Sequence, residues 1–255
     1  MDNQPFILQE TDDYAVVYKP AKMHCKGQIK NNKEEIINSE LYSNEDVNIT
    51  LCDFVLLCGL KIFDIMHRLD YETNGLVLFA KNGKSYAFLK SAQDNGEFVK
   101  EYSAIIKQHL NKTPDSQPGF PPFSPCPPWL KKNSPTQENP YIIESYFRPF
   151  GKGRKLVRPV IEDGKKHKEV AKDKGGFYRT EIININDNIL TVRIKRGFRH
   201  QIRCHLCWIG CPILNDPLYS GEEAIDRIMG LRSHALFFPE PGSGKLLEFR
   251  IEGLL

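Results

Sequence analysis

A chain of 255 residues, 40% apolar and 26% charged, is long enough to bury a real core and has the balance of a globular protein. Its net charge of +3 is too small to argue for nucleic acid by itself, so the placement of charge has to decide. No apolar run approaches the roughly 20 residues of a membrane helix. The opening MDNQPFILQETDD lacks the basic and apolar regions of a signal peptide, and seven cysteines, an odd number, then fit reduced thiols in a cytoplasm.

In chain order, YAVVYK (14–19) is β-branched and predicts a strand that Pro20 ends. Residues 26–50 are polar, with short helical or loop character, and TLCDFVLLCGL (50–60) has helical apolar spacing. MHRLDYETNGLVLFAK (66–81) sets turn residues ahead of an apolar run, 76–80, that predicts a buried strand. Residues 82–96 predict a short helix stopped at Asn95-Gly96, and 97–107 a strand.

Nine of the 17 prolines fall within 111–140, a density that excludes helices and central strands and predicts an extended loop. Residues 148–179 are basic. YRTEIININ and ILTVRIKRG flank Asp187-Asn188 as a hairpin, a helix follows over about 199–209, and the tail carries ALFF and LLEFRI strands around PEPGSGK. Hairpins mixed with helices, rather than repeating βα units, predict an α+β fold. The whole chain is expected to be one catalytic domain, with 111–175 as a Pro-rich and basic loop region.

Three constellations stand out. In an extended HRLD segment, Arg68 and Asp70 point to one side and His67 and Leu69 to the other. That pair is either a rim ion pair worth at most about 1 kcal/mol or a site. GFRHQIRCHLCWIG places Arg199, His200 and Arg203 at the opening of a helix, where anions are favoured; the alternative is a solvated basic helix end. Cys204, Cys207 and Cys211 have a spacing that invites metal, but at i, i+3 and i+7 they form one helical stripe, which argues for core. Tyr102 alternates with Ala104 and Ile106 on a strand face, either as a core tyrosine or as a ring that stacks on a flat ligand.

Taken together, these segments resemble a known family. HRLDYETNGLVLFAK is similar to the His-Arg-Leu-Asp-x-x-Thr-Ser-Gly signature of the RluA-type RNA pseudouridine synthases. DDYAVVYKPAKMH resembles their Lys-Pro-Ala-Gly motif, VKEYSAIIK their tyrosine-bearing strand, HQIRCHLCWIGCPILNDPLYSG their His-Gln-Ile-Arg block, and LRSHALFFPEPGSGKLLEF their C-terminal block. The matches keep family order from residue 9 to 250. Four departures are visible: Asn74 for Ser, Lys22 for the Gly of Lys-Pro-Ala-Gly, GFRHQ for Gly-Arg-Thr-His-Gln, and Asn215 for the Gly before Asp216. The first motif starts near residue 9, so no S4-type RNA-binding domain is expected ahead of it.

The resemblance implies a pseudouridine synthase fold, a mainly antiparallel sheet with flanking helices and a central RNA-binding cleft. It implies isomerisation of uridines in structured RNA, ribosomal or transfer, with Asp70, Tyr102 and Arg203 as catalytic residues. Asp70 would attack or deprotonate, Arg203 would favour its charged form, and Tyr102 would stack on the detached base. The uridine must leave its stack, at a cost of a few kcal/mol, with Arg68 filling the gap. His67, Lys19, Arg199, His200, Gln201, Ile213, Leu214, Lys155 and Arg158 are the expected substrate or RNA contacts. Lys152, Arg154, Lys165, Lys166 and Lys168 would add phosphate grip, or form only a solvated loop, and Trp129 would stack on a nucleotide or anchor its loop. No cofactor and no metal are expected, the partner is RNA rather than DNA or membrane, and the protein is expected to be a cytoplasmic monomer. Two rivals remain: an inactive RNA-binding protein of the same fold, and a metal or redox protein built on the cysteine stripe.

Overall fold

The computed structural model describes residues 4–26, 49–107, 135–160, 177–220 and 227–252. In chain order the strands are β1 (Phe6–Glu10), β2 (Tyr14–Lys19), β3 (Asp64–Ile65), β4 (Asn74–Ala80), β5 (Val99–Ile105), β6 (Tyr141–Phe150), β7 (Leu156–Val160), β8 (Tyr178–Asn186), β9 (Ile189–Ile194), β10 (Leu231–Pro239) and β11 (Leu246–Arg250). The helices are α1 (Leu51–Leu57), α2 (Gly83–Asp94) and α3 (Gln201–Trp208). The expected α+β class holds. No described helix is long and apolar enough to cross a membrane.

The described residues fall into two compact units, one up to Phe98 with Ser233–Glu252, the other Val99–Arg232. In the first, strands run in the order β1-β2-β4-β10-β11, with β3 paired to β4. Every residue of β2 and β4 is buried, which is why both appear in the sequence as continuous apolar runs rather than alternating ones. Their antiparallel register sets Tyr14 opposite Ala80 and Lys19 opposite Gly75. Val16, Leu76, Leu78, Phe98, Leu236 and Phe238 build the core, and α2 lays Leu89 on it. Helix α2 starts where Asn82 Oδ1 accepts the Ser85 N–H at 2.8 Å and ends at Asn95, followed by Gly96 at φ +75°. Thr50 and Asp53 cap α1 in the same reciprocal way.

In the second unit the order is β5-β9-β8-β6-β7 and these four pairings are all antiparallel. The Asp187-Asn188 hairpin appears where predicted, with Asp187 at φ +52°. Helix α3 packs its Cys204 with Phe147, Val157, Tyr178 and Tyr219. The Cys204 thiol reaches the Val157 carbonyl at 3.5 Å and Cys207 the Tyr219 carbonyl at 3.3 Å, so this part of the cysteine stripe packs as core.

One expectation is corrected here. Loop was expected through 111–175, yet Tyr141–Phe150 and Leu156–Val160 form a hairpin built into the sheet. Ile143, Ser145 and Phe147 alternate inward. Pro149 lies beyond the residues of β6 that pair with β8, and Pro159 lies on β7, which ends the strand order, so neither missing N–H breaks a central ladder. The Pro-rich core of that region, the stretch 27–48, Trp129 and Lys165, Lys166 and Lys168 lie outside the described residues.

Candidate active site

In the first unit the signature segment 66–73 runs extended into β4. His67 faces the sheet: its Nε2 accepts the Leu78 N–H at 3.3 Å and its ring meets Phe98 edge-on at 5.3 Å. Arg68 is exposed, Leu69 is buried and Asp70 is half-buried, the alternation that an extended strand dictates. The Asp70 carbonyl accepts the Thr73 N–H at 3.1 Å, closing the turn before Asn74.

The segment is braced from beneath by two residues of the 19–25 stretch. Lys19, expected among the RNA contacts, has no exposed surface. Its ammonium donates to the carbonyls of Pro20 and Met23, each at 2.8 Å, and of Tyr71 at 3.3 Å. Three backbone acceptors satisfy a buried cation's donors, so this lysine holds the turn that carries Asp70. Burial draws its pKa down to about 8, against the opposing pull of Cys25, Asp70 and Glu72. The Cys25 sulfur accepts the Leu69 N–H at 3.3 Å, and its thiol is pushed up by burial. Above this brace, exposed Tyr71 and His24 pack ring to ring at 4.6 Å. Neither was singled out from the sequence, although Tyr71 sits beside Asp70.

In the second unit, Tyr102 lies buried on β5 opposite Val192. The segment 212–214 continues that strand's pairing: the Leu214 N–H donates to the Ile105 carbonyl at 2.8 Å and Ile213 bridges Ile106. Ile213 is fully buried, while Leu214 is half-buried.

Arg203 projects from α3 with 1% of its surface exposed. Its Nε and Nη2 donate to the two carboxylate oxygens of Asp216 at 2.8 and 2.9 Å. Asp216, itself fully buried, also accepts the N–H groups of Leu218 at 2.8 Å and Tyr219 at 3.1 Å. This bidentate pairing fixes the guanidinium plane, and the Tyr219 ring lies 5.6 Å from its centre. Asp216 and Tyr219 were quoted within the motif but given no role. Their closeness to Arg203 depends on the chain returning over α3.

Helix α3 begins two residues later than expected, so Arg199 and His200 precede it. Arg199 is exposed and donates to the carbonyls of Arg154 at 2.7 Å and Leu156 at 3.3 Å, while His200 Nδ1 meets the Tyr219 hydroxyl at 3.3 Å. Gln201, expected at RNA, is buried: its amide donates to the Arg179 carbonyl and to Thr180 Oγ1, both at 3.0 Å, and its oxygen accepts the Phe198 N–H. His205 bridges Ser145 at 2.9 Å and Thr180 at 2.8 Å, and full burial lowers its pKa to about 3. Lys155 is exposed and Arg158 half-buried on the β6–β7 hairpin.

A family model described as RNA pseudouridylate synthase matches residues 13–208, well over half of the chain. The chain belongs to the RNA pseudouridylate synthase family, of RluA type. An uncharacterized RNA pseudouridine synthase of Mycoplasma capricolum is 23% identical over 88% of the chain and 61% of its own length. The ribosomal large subunit pseudouridine synthase C of Rickettsia typhi is 27% identical over 98% of the chain and 68% of its own. The chain thus spans about two thirds of these relatives. Among solved structures, human RNA pseudouridylate synthase domain containing 1 shares the fold at a TM-score of 0.62 and 16% identity, over 98% of this chain and 84% of that one.

Two of the four departures from the synthase signature now have a backbone explanation. Lys22 and Asn215, each standing where the family pattern has Gly, adopt φ +59° and +58°. Left-handed backbone is open to Gly without strain, and Asn tolerates it better than Lys does. These substitutions therefore keep the turn shapes and pay in local strain. Gly75 is retained, and a Cβ there would lie 2.6 Å from the Ser233 nitrogen.

Proposed function

We propose that this synthase-family chain isomerises specific uridines of structured RNA to pseudouridine. The carrying observation is the 66–73 segment: an exposed arginine and a half-buried carboxylate two residues apart, on a turn whose backbone is held by a buried lysine and a buried thiol. A group that attacks or deprotonates must be held in a fixed place, and this brace supplies that for Asp70.

The family signature assigns the remaining roles. Arg203 takes a catalytic role by its match to the signature, and its orientation is set by Asp216. Tyr102 stacks on the detached uracil and helps remove the C5 proton. Arg68 fills the space left when the uridine is flipped out. Leu214 lines the base pocket, and Lys155, Arg158, Arg199 and His200 meet the RNA backbone. His67, Lys19, Gln201 and Ile213 position these groups from within the fold. Detaching and rejoining a base moves no electrons to an acceptor, so the reaction asks for no redox cofactor. Ribosomal RNA is the substrate we favour, since the Rickettsia typhi relative is named for the large ribosomal subunit.

The test is a map of pseudouridines in total RNA from cells with and without the gene. Loss of one or a few sites on deletion, restored by the wild-type gene, supports the proposal. An unchanged map contradicts it.

A further inference from the structure

The ring pair above the lysine–thiol brace is left unused by the proposed chemistry. Tyr71 breaks the alternation of its segment: Leu69 is buried, yet Tyr71, two residues on, is 40% exposed. The cause is the turn closed by the Thr73 N–H and the Asp70 carbonyl, which puts Tyr71 at its first corner. That corner accepts most residues, proline best, so the turn itself does not ask for an aromatic ring.

Both rings stand on pinned backbone. The Tyr71 carbonyl accepts the Lys19 ammonium at 3.3 Å. The His24 carbonyl accepts the Leu51 N–H at 2.9 Å and the Cys25 carbonyl the Cys52 N–H at 3.1 Å, so the start of α1 holds this stretch from another side. The Cys25 sulfur ties the same stretch to the Leu69 N–H. The rings lie 4.6 Å apart with planes tilted by 38°. A tyrosine has few rotatable bonds, and one already packed against a second ring gives up little freedom on binding.

Position and charge define what this ring can meet. Tyr71 follows Asp70 directly, so their α-carbons are about 3.8 Å apart and the ring lies within one nucleotide of the carboxylate. Asp70 and Glu72 flank it with negative charge, which repels phosphate and leaves the face of an uncharged base as the favourable contact. When a uridine leaves its stack, the base beside it loses a stacking partner. An aromatic side chain replaces such a partner whatever the identity of the base.

We infer that Tyr71, its ring steadied by His24, is a substrate-binding residue that stacks on the base next to the flipped uridine. The inference rests on the proposed function and concerns two residues to which that function gives no role. A cover over the buried lysine would account for the packing of the two rings but not for an aromatic group left exposed at a turn corner.

The test uses the purified full chain, a fluorescent single-stranded oligouridylate and an abasic ribose-phosphate oligomer of equal length, with binding followed by anisotropy across a salt series. Tyr71→Leu, at an exposed position where folding is not at stake, should bind oligouridylate roughly 5- to 100-fold more weakly. The slope of log K against log salt should stay unchanged, because no phosphate contact is lost. Tyr71→Phe should bind as the wild type does, since the ring stacks without its hydroxyl, and His24→Ala should fall between the two. On the abasic oligomer the wild type and Tyr71→Leu should bind equally. Unchanged affinity of Tyr71→Leu for oligouridylate, or equal losses on both oligomers, would overturn the stacking contact. Its place is tested on RNA spanning one mapped pseudouridine site, made abasic on one side of the uridine or the other. One of the two should lower kcat/KM for the wild type and cost Tyr71→Leu nothing further, whereas losses that add to that of Tyr71→Leu on both sides would overturn the inference. Product from the wild-type chain on total RNA alongside unchanged variant binding sinks the stack alone, whereas no product from the wild-type chain sinks the proposed activity.

Discussion

Removing either member of the Arg203–Asp216 pair should be among the costliest changes in the protein. Arg203 is 1% exposed and Asp216 fully buried, and the carboxylate accepts four hydrogen bonds, two from the guanidinium and two from the backbone of Leu218 and Tyr219. Asp216→Asn keeps the shape and can keep the two backbone bonds, but it withdraws the negative charge from a guanidinium shielded from water. Arg203→Met leaves the carboxylate in the same position without its cation. Breaking one side of a buried pair costs about 3–5 kcal/mol. At about 2–4 °C per kcal/mol for a chain of this size, the melting point should fall by roughly 10 °C. The double variant removes both charges, so its loss should be smaller than the two single losses combined by about 2 kcal/mol. Urea denaturation followed by tryptophan fluorescence measures all three. Single losses below about 1 kcal/mol, or additive losses, would refute the reasoning that the pair holds α3 and the 213–219 segment together.

Three further outcomes follow from the same structure. His205 is buried with a pKa near 3, below its ordinary 6.5. Between those values the unfolded chain binds a proton that the folded chain refuses, so stability is full above pH 6.5 and falls as pH drops toward 3. Urea midpoints at stepped pH should show this, and His205→Phe should flatten the slope. Asn215→Gly should leave the melting point unchanged, because relief of left-handed strain worth up to about 1 kcal/mol is offset by loss of the Asn215 side-chain bond to the Ile228 carbonyl. Gly75→Ala should abolish soluble expression, since its Cβ would collide with the Ser233 backbone.

Much of the fold was legible because local signals and burial agree. The continuous apolar runs of β2 and β4 announce strands buried on both faces, and Asn82 and Gly96 mark both ends of α2. The β6–β7 hairpin was hidden because prolines and basic residues suggest loop, and only the strand order shows that Pro149 and Pro159 sit where a missing N–H does no harm. The Arg68–Asp70 alternation could be taken from residue spacing. The partner of Arg203 could not, because Asp216 lies 13 residues on and arrives only when the chain folds back over α3. The burial of Lys19 was hidden for a related reason: the Tyr71 carbonyl that receives it lies 52 residues away.

The most direct trial of the account compares wild-type protein with Asp70→Asn on total RNA from cells lacking the gene, with pseudouridine as the readout and RNA affinity measured in parallel. The account predicts product from the wild-type chain, none from the variant, and similar RNA affinity for both. Full pseudouridine formation by Asp70→Asn would contradict it.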